Sequence, residues 1–357
     1  MPLLRLKESY EGHPLRWWHL PLLAILIVGT YLAAREYNAS PSDERTGAPW
    51  PTGQVQHNAG NVFGTVYHLT YQSPADLQQP IDSLLAEVDA SLSPFNPTST
   101  ISHINDNTST RADERLARVF TLAKQVSAAT AGAFDITVAP LVNAWGFGFR
   151  QAQDPDSLLI DSLLQFVGFS KVTLTPDSQI IKTDPRVLLD CAAIAKGFAV
   201  DEVADWLQTQ GVANYMVEIG GELRLAGTNP EGTAWRIGVN NPRENDPDAE
   251  PLQAVLCITN TAVATSGNYR NYYEQDGRII AHTIDPRTGY PVQRDILSAT
   301  VLAPSCAEAD AYATAFMASG VSNALSILAE QPHLAAHLIY TDTTGQLLTW
   351  QSDSLPQ

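Results

Sequence analysis

Four places in the chain set polar groups where a ligand could meet them. The first is 190–197, where Asp190 is followed by mostly small residues and then by Lys196 and Gly197. It comes after an apolar run, Val187, Leu188 and Leu189, that reads as a buried strand. It precedes 198–210, where Val200, Val203, Ala204 and Leu207 share one face of an amphipathic helix. A carboxylate then stands at a strand end, and a lysine and a glycine stand where a helix begins. Small residues let a ligand approach the backbone, and the free N–H groups of a helix start suit a phosphate. An ordinary strand-to-helix turn with surface charges would read the same from these eight residues alone. The second place is Asp310 and Thr314, four apart and so on one helix face, in a helix opened by the capping-box pair Ser305 and Glu308. Tyr312 and Phe316 point to roughly the opposite side, which predicts one packed face and one presenting hard oxygens of the kind magnesium or calcium takes. A solvated helix face would also account for the two oxygens. The third is His282, followed by Asp285, Arg287 and Gly289 in a run of tight-turn signals that sets the imidazole at a loop mouth. The fourth is Asp135, in Ala133-Phe-Asp135 at a predicted helix-to-strand junction, where a plain turn carboxylate is the simpler reading.

The elements that must position these groups follow from periodicity. Residues 61–71 alternate as a first strand, with Gly64 inside it. Ile81, Leu84, Leu85, Val88 and Leu92 repeat at helical spacing, and a second helix is predicted over 113–130, ended by Gly132. Between them 91–107 reads as a polar loop, with Phe95 as a core anchor or a ring lying on a ligand. A short helix is predicted at 157–167 and strands at 172–174, 180–182, 215–226, 235–239, 255–265 and 297–302. The paired Gly220 and Gly221 inside 215–226 predict a bulge or a ligand close to the backbone. A hairpin-like turn falls at 275–277, and the chain closes with a helix at 321–329 and two strands joined at 343–345. The pattern is α+β or loosely alternating α/β.

The 357 residues carry a net charge of −17, with 44% hydrophobic and 17% charged residues. That is a globular composition, and the acidic balance argues against nucleic acid as partner. Arg5, Lys7 and Arg16 precede the mostly apolar stretch 17–34, about the shortest length that spans a bilayer. The order predicts an uncleaved N-terminal anchor over 1–35 with the rest outside the cytoplasm; a cleaved signal peptide is the competing reading. Residues 36–58 read as a tether and 59–357 as a single domain. Cys191, Cys257 and Cys306 sit in apolar or small-residue surroundings and read as buried free thiols, with no zinc spacing. No phosphate-binding loop, dinucleotide fingerprint or Ser-His-Asp signature occurs.

Eight pieces occur in one order: Phe63-Gly-Thr65, Ser93-Pro-Phe-Asn96, Ala133-Phe-Asp135, the segment 189–197, Glu218-Ile-Gly-Gly-Glu222, Ser266-Gly-Asn-Tyr269, the segment 282–289 and the segment 309–314. Together they resemble the ApbE family, the FAD:protein FMN transferases. The resemblance covers nearly everything after the anchor. It implies an α+β catalytic domain of mixed sheets flanked by helices. It implies an enzyme that splits FAD and moves FMN onto a threonine or serine hydroxyl of another protein, releasing AMP. Phe63, Phe95, Ala133, Phe134, Asp135, Asp190, Lys196 and His282 fall at the FAD positions. Phe63 and Phe95 replace a methionine and a tyrosine usual there. Mg2+ would be held by the Ala193 carbonyl, Asp310 and Thr314. Many members have an aspartate where this chain has Ala313.

The chemistry so implied is phosphoryl transfer, which needs neutralised phosphates and a nucleophile held in line. His282 is the candidate general base, since imidazole titrates near neutral pH, with Asp285 as runner-up. Lys196 either pairs with a phosphate or holds Asp190. The resemblance implies an acceptor with an Asp-x-x-Thr/Ser-Gly site, on a membrane electron-transfer subunit facing the same compartment. An FAD pyrophosphatase and a non-catalytic flavin-binding protein are the alternatives.

Overall fold

The computed structural model describes residues 47–150, 155–242, 252–267, 272–275, 278–292 and 295–355. Its main unit takes in 47–237 and 256–355; the described part of a second, small unit is 238–242 and 252–255. The strands are β1 (Val55–Val62), β2 (Thr65–Gln72), β3 (Val172–Leu174), β4 (Ile180–Lys182), β5 (Tyr215–Ile219), β6 (Glu222–Ala226), β7 (Trp235–Asn240), β8 (Leu252–Ile258), β9 (Thr261–Gly267), β10 (Tyr272–Gln275), β11 (Arg278–Ala281), β12 (Ile296–Ala303), β13 (Ala335–Thr341) and β14 (Leu347–Gln351). The helices are α1 (Gln78–Leu92), α2 (Thr100–Asn105), α3 (Glu114–Ala129), α4 (Ala139–Ala144), α5 (Ser157–Leu164), α6 (Ala192–Thr209), α7 (Cys306–Ser319) and α8 (Val321–Glu330).

One eight-stranded sheet, in the order β1-β2-β5-β6-β9-β12-β13-β14, organises the main unit. Each neighbouring pair in it is antiparallel. The sheet is therefore not mixed, and α+β is the class that holds. Register puts Leu69, Val217, Arg224, Ala262 and Ala303 in one row across five strands. Tyr67, Ile219 and Glu222 form the row beside it. This face carries the core with α6 and α7 against it. Among the described residues no helix is long and apolar enough to cross a membrane. The expected anchor over 1–35 lies outside the described residues.

Several elements differ from the periodicity reading. The first strand is a hairpin, β1 and β2, because Phe63 and Gly64 both take positive φ (51° and 74°) and close a two-residue turn. β1 begins at Val55, inside the predicted tether, and Trp50 already packs edge-on against Trp235, ring centroids 6.1 Å apart. The paired glycines make the β5–β6 turn rather than a bulge, with φ of 62° and 101°. The predicted strand 255–265 is β8 and β9, broken at Asn260 with φ 52°. Residues 187–189 are buried but form no strand. The Asn105 side chain takes the partner's place, accepting from the Leu189 N–H at 2.7 Å and donating to the Leu189 carbonyl at 2.9 Å. α2 occupies part of the predicted loop 91–107, capped by the Ser99 hydroxyl. Cys191 and Cys306 are buried, but Cys257 is exposed on β8.

On the opposite face of the sheet Thr265, Thr300 and His337 form a cross-strand row. The two hydroxyls meet at 2.9 Å, while His337 is buried with no partner for its Nδ1. Burial holds this imidazole below its ordinary 6.5. The unfolded chain then binds the proton first, so stability is lost as pH falls from 6.5 through the lower folded value. Thermal melts of His337→Gln between pH 7.5 and 5 are expected to show a flatter acid limb than wild type. Parallel limbs would refute this placement of the imidazole.

Candidate active site

The site is built on the first turns of α6, which starts at Ala192, six residues before its predicted beginning. Asp190 explains the early start: its Oδ1 accepts the Ala192 N–H at 2.8 Å, while its own N–H donates to the Ile136 carbonyl at 2.7 Å. Burial pushes the Asp190 carboxyl above its usual range. Lys196 and Gly197 thus lie within the helix. Gly197 lies where α6 and α7 touch backbone to backbone. A Cβ there would stand 2.3 Å from the Cys306 carbonyl oxygen. The contact is locked by Asp201, one turn on, whose two oxygens accept the Cys306 and Ala307 N–H groups, each at 2.9 Å. So a carboxylate of α6 caps the start of α7, beside the Ser305 hydroxyl that accepts from Glu308 N–H at 3.3 Å. Glu308 does not reach back to complete a capping box; its side chain meets His333 at 2.9 Å.

This packing brings Asp310 to α6. Its Oδ2 accepts the Gly197 N–H at 3.1 Å. In a regular helix that N–H would go to the Ala193 carbonyl. Lys196 Nζ lies 2.7 Å from Glu222 Oε1 on β6 and 3.8 Å from Asp310 Oδ2. Lys196 therefore holds Glu222, not Asp190. Burial would lower the lysine; the carboxylates of Asp310 and Glu222 outweigh it and hold the ammonium above its ordinary value. Burial pushes the Glu222 carboxyl up to about 7, against the pull of Lys196. One turn after Asp310, the Thr314 hydroxyl lies 3.3 Å from that of Ser266 on β9. The rest of α7 is buried on both faces, so it is not the half-solvated helix that was predicted. Ala313 sits in the apolar core, where an aspartate would face hydrocarbon.

The His282 loop docks on the far end of α7. Asp285 is buried, and its carboxylate takes the Arg287 N–H, Nε and Nη2, each at 2.9 Å. Arg287 Nη2 also donates to the Ala318 carbonyl at 3.1 Å. Asp285 thus holds the loop through Arg287. The Phe147 ring meets the His282 ring edge-on at 6.4 Å. Ala133 packs with Val292 and Ala318 beside it. Phe134 is buried in the core.

Asp135 does not stand before a strand. It caps a short 3-10 turn (Ile136–Val138), taking the Thr137 N–H and hydroxyl on Oδ1 and the Phe169 N–H on Oδ2. Its acceptors serve the turn, the simpler of the two expected roles. Phe95 is no core anchor: it is 67% exposed, its ring edge-on to Phe149 at 6.2 Å. Phe63 lies in the β1–β2 turn. A Cβ on Gly220 would meet Thr65 Cγ2 at 2.9 Å, so that turn adjoins the β5–β6 turn ahead of Glu222.

The ApbE family model matches residues 63–338. The chain belongs to the ApbE family. Its curated relatives include FAD:protein FMN transferases of Vibrio cholerae, 40% identical over 79% of this chain and 86% of the relative, and of Haemophilus influenzae, 37% identical over 80% and 87%. Among solved structures, the flavin transferase ApbE of Vibrio cholerae superposes with a TM-score of 0.77 at 36% identity, over 84% of this chain and 97% of that one. The apo flavinyl transferase ApbE of Pseudomonas stutzeri gives 0.74 at 30%, over 84% and 95%.

In the sequence of this ApbE-family chain Glu222 and Ser266 stand in motifs with no role assigned to them, and Asp201 stands in none. Glu222 and Arg224 alternate with apolar residues on β6, and that spacing points both at the helices. Asp201 carried no such signal, because its partner is a helix start a hundred residues away. The α6–α7 contact also makes a test. Alanine favours a helix interior over glycine by about 1 kcal/mol. The clash with the Cys306 carbonyl costs about 3 kcal/mol. Gly197→Ala is expected to lose about 2 kcal/mol net, seen as a lower Tm; a Tm at or above wild type would refute the close contact.

Proposed function

We propose that this chain is an Mg2+-dependent FAD:protein FMN transferase that makes a phosphoester between FMN and a threonine or serine hydroxyl. The observation that carries the reading is the meeting of Lys196, Glu222 and Asp310 at the start of α6, in a chain whose relatives bear that name.

The donor set suits a hard divalent cation. Asp310 and Thr314 supply a carboxylate and a hydroxyl, and the buried Glu222 Oε2 lacks any partner. Among the described residues no three His, Cys, Asp or Glu side chains converge as a metal cluster. A mixed oxygen set with water or phosphate completing it is magnesium's habit. Asp310, Thr314 and the Ala193 carbonyl would hold the ion. When bound, Mg2+ neutralises charge on the pyrophosphate and on departing AMP.

The chain's own groups do the rest. Lys196 would face the phosphates as a fixed positive charge beside the start of α6. His282 takes the proton of the acceptor hydroxyl as its oxygen bonds to the FMN phosphorus; the bond from that phosphorus to AMP breaks, and AMP leaves with the electron pair. Phe63 and the exposed Phe95, and the 133–135 and 190 backbone, would line the FAD site. The reading extends to address. Arg5, Lys7 and Arg16 ahead of 17–34 support an inner-membrane anchor, with the catalytic part extracytoplasmic and the acceptor a membrane electron-transfer subunit.

The test is to incubate the full chain with FAD, Mg2+ and a domain carrying an Asp-x-x-Thr-Gly site. The expected result is an acceptor heavier by one FMN with equimolar AMP. Asp310→Ala is expected to lose at least about a hundredfold in rate. AMP without a labelled acceptor means hydrolysis. Bound FAD with neither product means a binding protein.

A further inference from the structure

Three charged side chains from three elements meet in the site, and one of them has no assigned work. Lys196 of α6 stands between Glu222 of β6 and Asp310 of α7. It is hydrogen-bonded to Glu222 Oε1 at 2.7 Å and lies 3.8 Å from Asp310 Oδ2. The ammonium is therefore within reach of both carboxylates and is drawn to one. Asp310 Oδ2 keeps the Gly197 N–H instead. Glu222 is almost fully buried, and its Oε2 has no partner. An amine 2.7 Å from one buried carboxylate is held far more strongly than one 3.8 Å from another. Remove the Glu222 charge, and Asp310 becomes the nearest anion. Lys196 then closes on it, occupying the carboxylate with a rival cation.

We propose that Glu222 is a positioning residue that keeps Lys196 off Asp310, so that Asp310 stays open to a divalent cation. The inference rests on the cation reading of the preceding section. Its signature is that loss of Glu222 is repaired by loss of Lys196. A carboxylate that ligated the ion itself, or merely held the fold, would give no such repair.

The experiment measures Mn2+ binding to the full chain, by the electron paramagnetic resonance signal of free Mn2+, in wild type, Glu222→Gln, Glu222→Asp, Lys196→Met and the double variant Glu222→Gln/Lys196→Met. Glu222→Gln is expected to weaken binding by about tenfold, within the usual range of coupling between contacting residues. Glu222→Asp keeps the charge and should stay within about threefold of wild type. The double variant should return to within about threefold of wild type. Thermal melts identify any variant that fails to fold, and Glu222→Asp with the double variant still decides the matter if Glu222→Gln is lost. Unchanged binding in Glu222→Gln overturns the proposal. So does a double variant as weak as Glu222→Gln, or Glu222→Asp as weak as Glu222→Gln. A wild type that takes up no Mn2+, and whose AMP release ignores added metal, overturns the cation reading and the proposal with it. Metal-dependent wild type with no repair overturns the proposal alone.

Discussion

The site depends on one close approach, the backbone of α6 against the start of α7 at Gly197. Only a residue without a Cβ leaves room for the Cys306 carbonyl there. Asp201 fixes the same contact from one turn away by capping α7 with both of its oxygens. Every polar contact between the helices follows from this. The Gly197 N–H can reach Asp310 only because the two axes lie so near. If the helices parted by the thickness of a methyl group, Asp310 would lose its donor and Lys196 its second carboxylate. Under the proposed reaction a site divided between two helices needs such rigidity, because errors of an ångström matter at a reacting phosphate.

The charges beneath these helices obey a stricter rule than surface charges do. β6 points Glu222 and Arg224 at α6 from neighbouring positions on one sheet face. Arg224 is met by Asp201 at 3.0 Å and Asp205 at 2.8 Å, and Glu222 by Lys196. Buried ions cost several kcal/mol each unless their partners are complete. The Arg224 group is complete, with a carboxylate on either turn of α6. The Lys196 group is not: one oxygen of Glu222 stays unmatched. Evenly satisfied charge is what a structural cluster looks like. The unmatched oxygen lies where the chain places Asp310 and Thr314, so the imbalance falls at the site.

Much of this was legible in the sequence because its signals were local. The 3.6-residue repeats of α1, α3 and the second half of α6 were plain, as were the short strands β3 and β4. What stayed hidden was long-range. Residues 187–189 look like a strand by composition, yet the Asn105 side chain, far off in sequence, satisfies Leu189 in a strand's stead. Gly220-Gly221 folds one long apolar run into the β5–β6 hairpin, Asn260 breaks another into β8 and β9 of different sheets, and only the positive φ marks either break. Asp135 drew attention as a carboxylate at a helix-to-strand junction, but its oxygens are taken by Thr137 and Phe169. The order of motifs gave the family, whereas the work of Asp201 and Glu222 needed the packing.

One helix finally joins the two halves of the chemistry. Asp310, Thr314 and Ala318 follow one another at intervals of four along α7. The first two offer oxygens beside Lys196. The carbonyl of the third receives Arg287, which grips Asp285 and so fixes the loop that begins at His282. Asp310, Thr314 and the anchor of the His282 loop are thus set along one helix, itself pinned to α6. Asp285 serves as a clamp, its carboxylate taking three donors from Arg287. His282 borders an aromatic ring, on a loop that α7 holds at its end. In the proposed reaction the acceptor hydroxyl would approach there, away from the buried charges, with about two turns of α7 between Asp310 and the Ala318 carbonyl that anchors the loop.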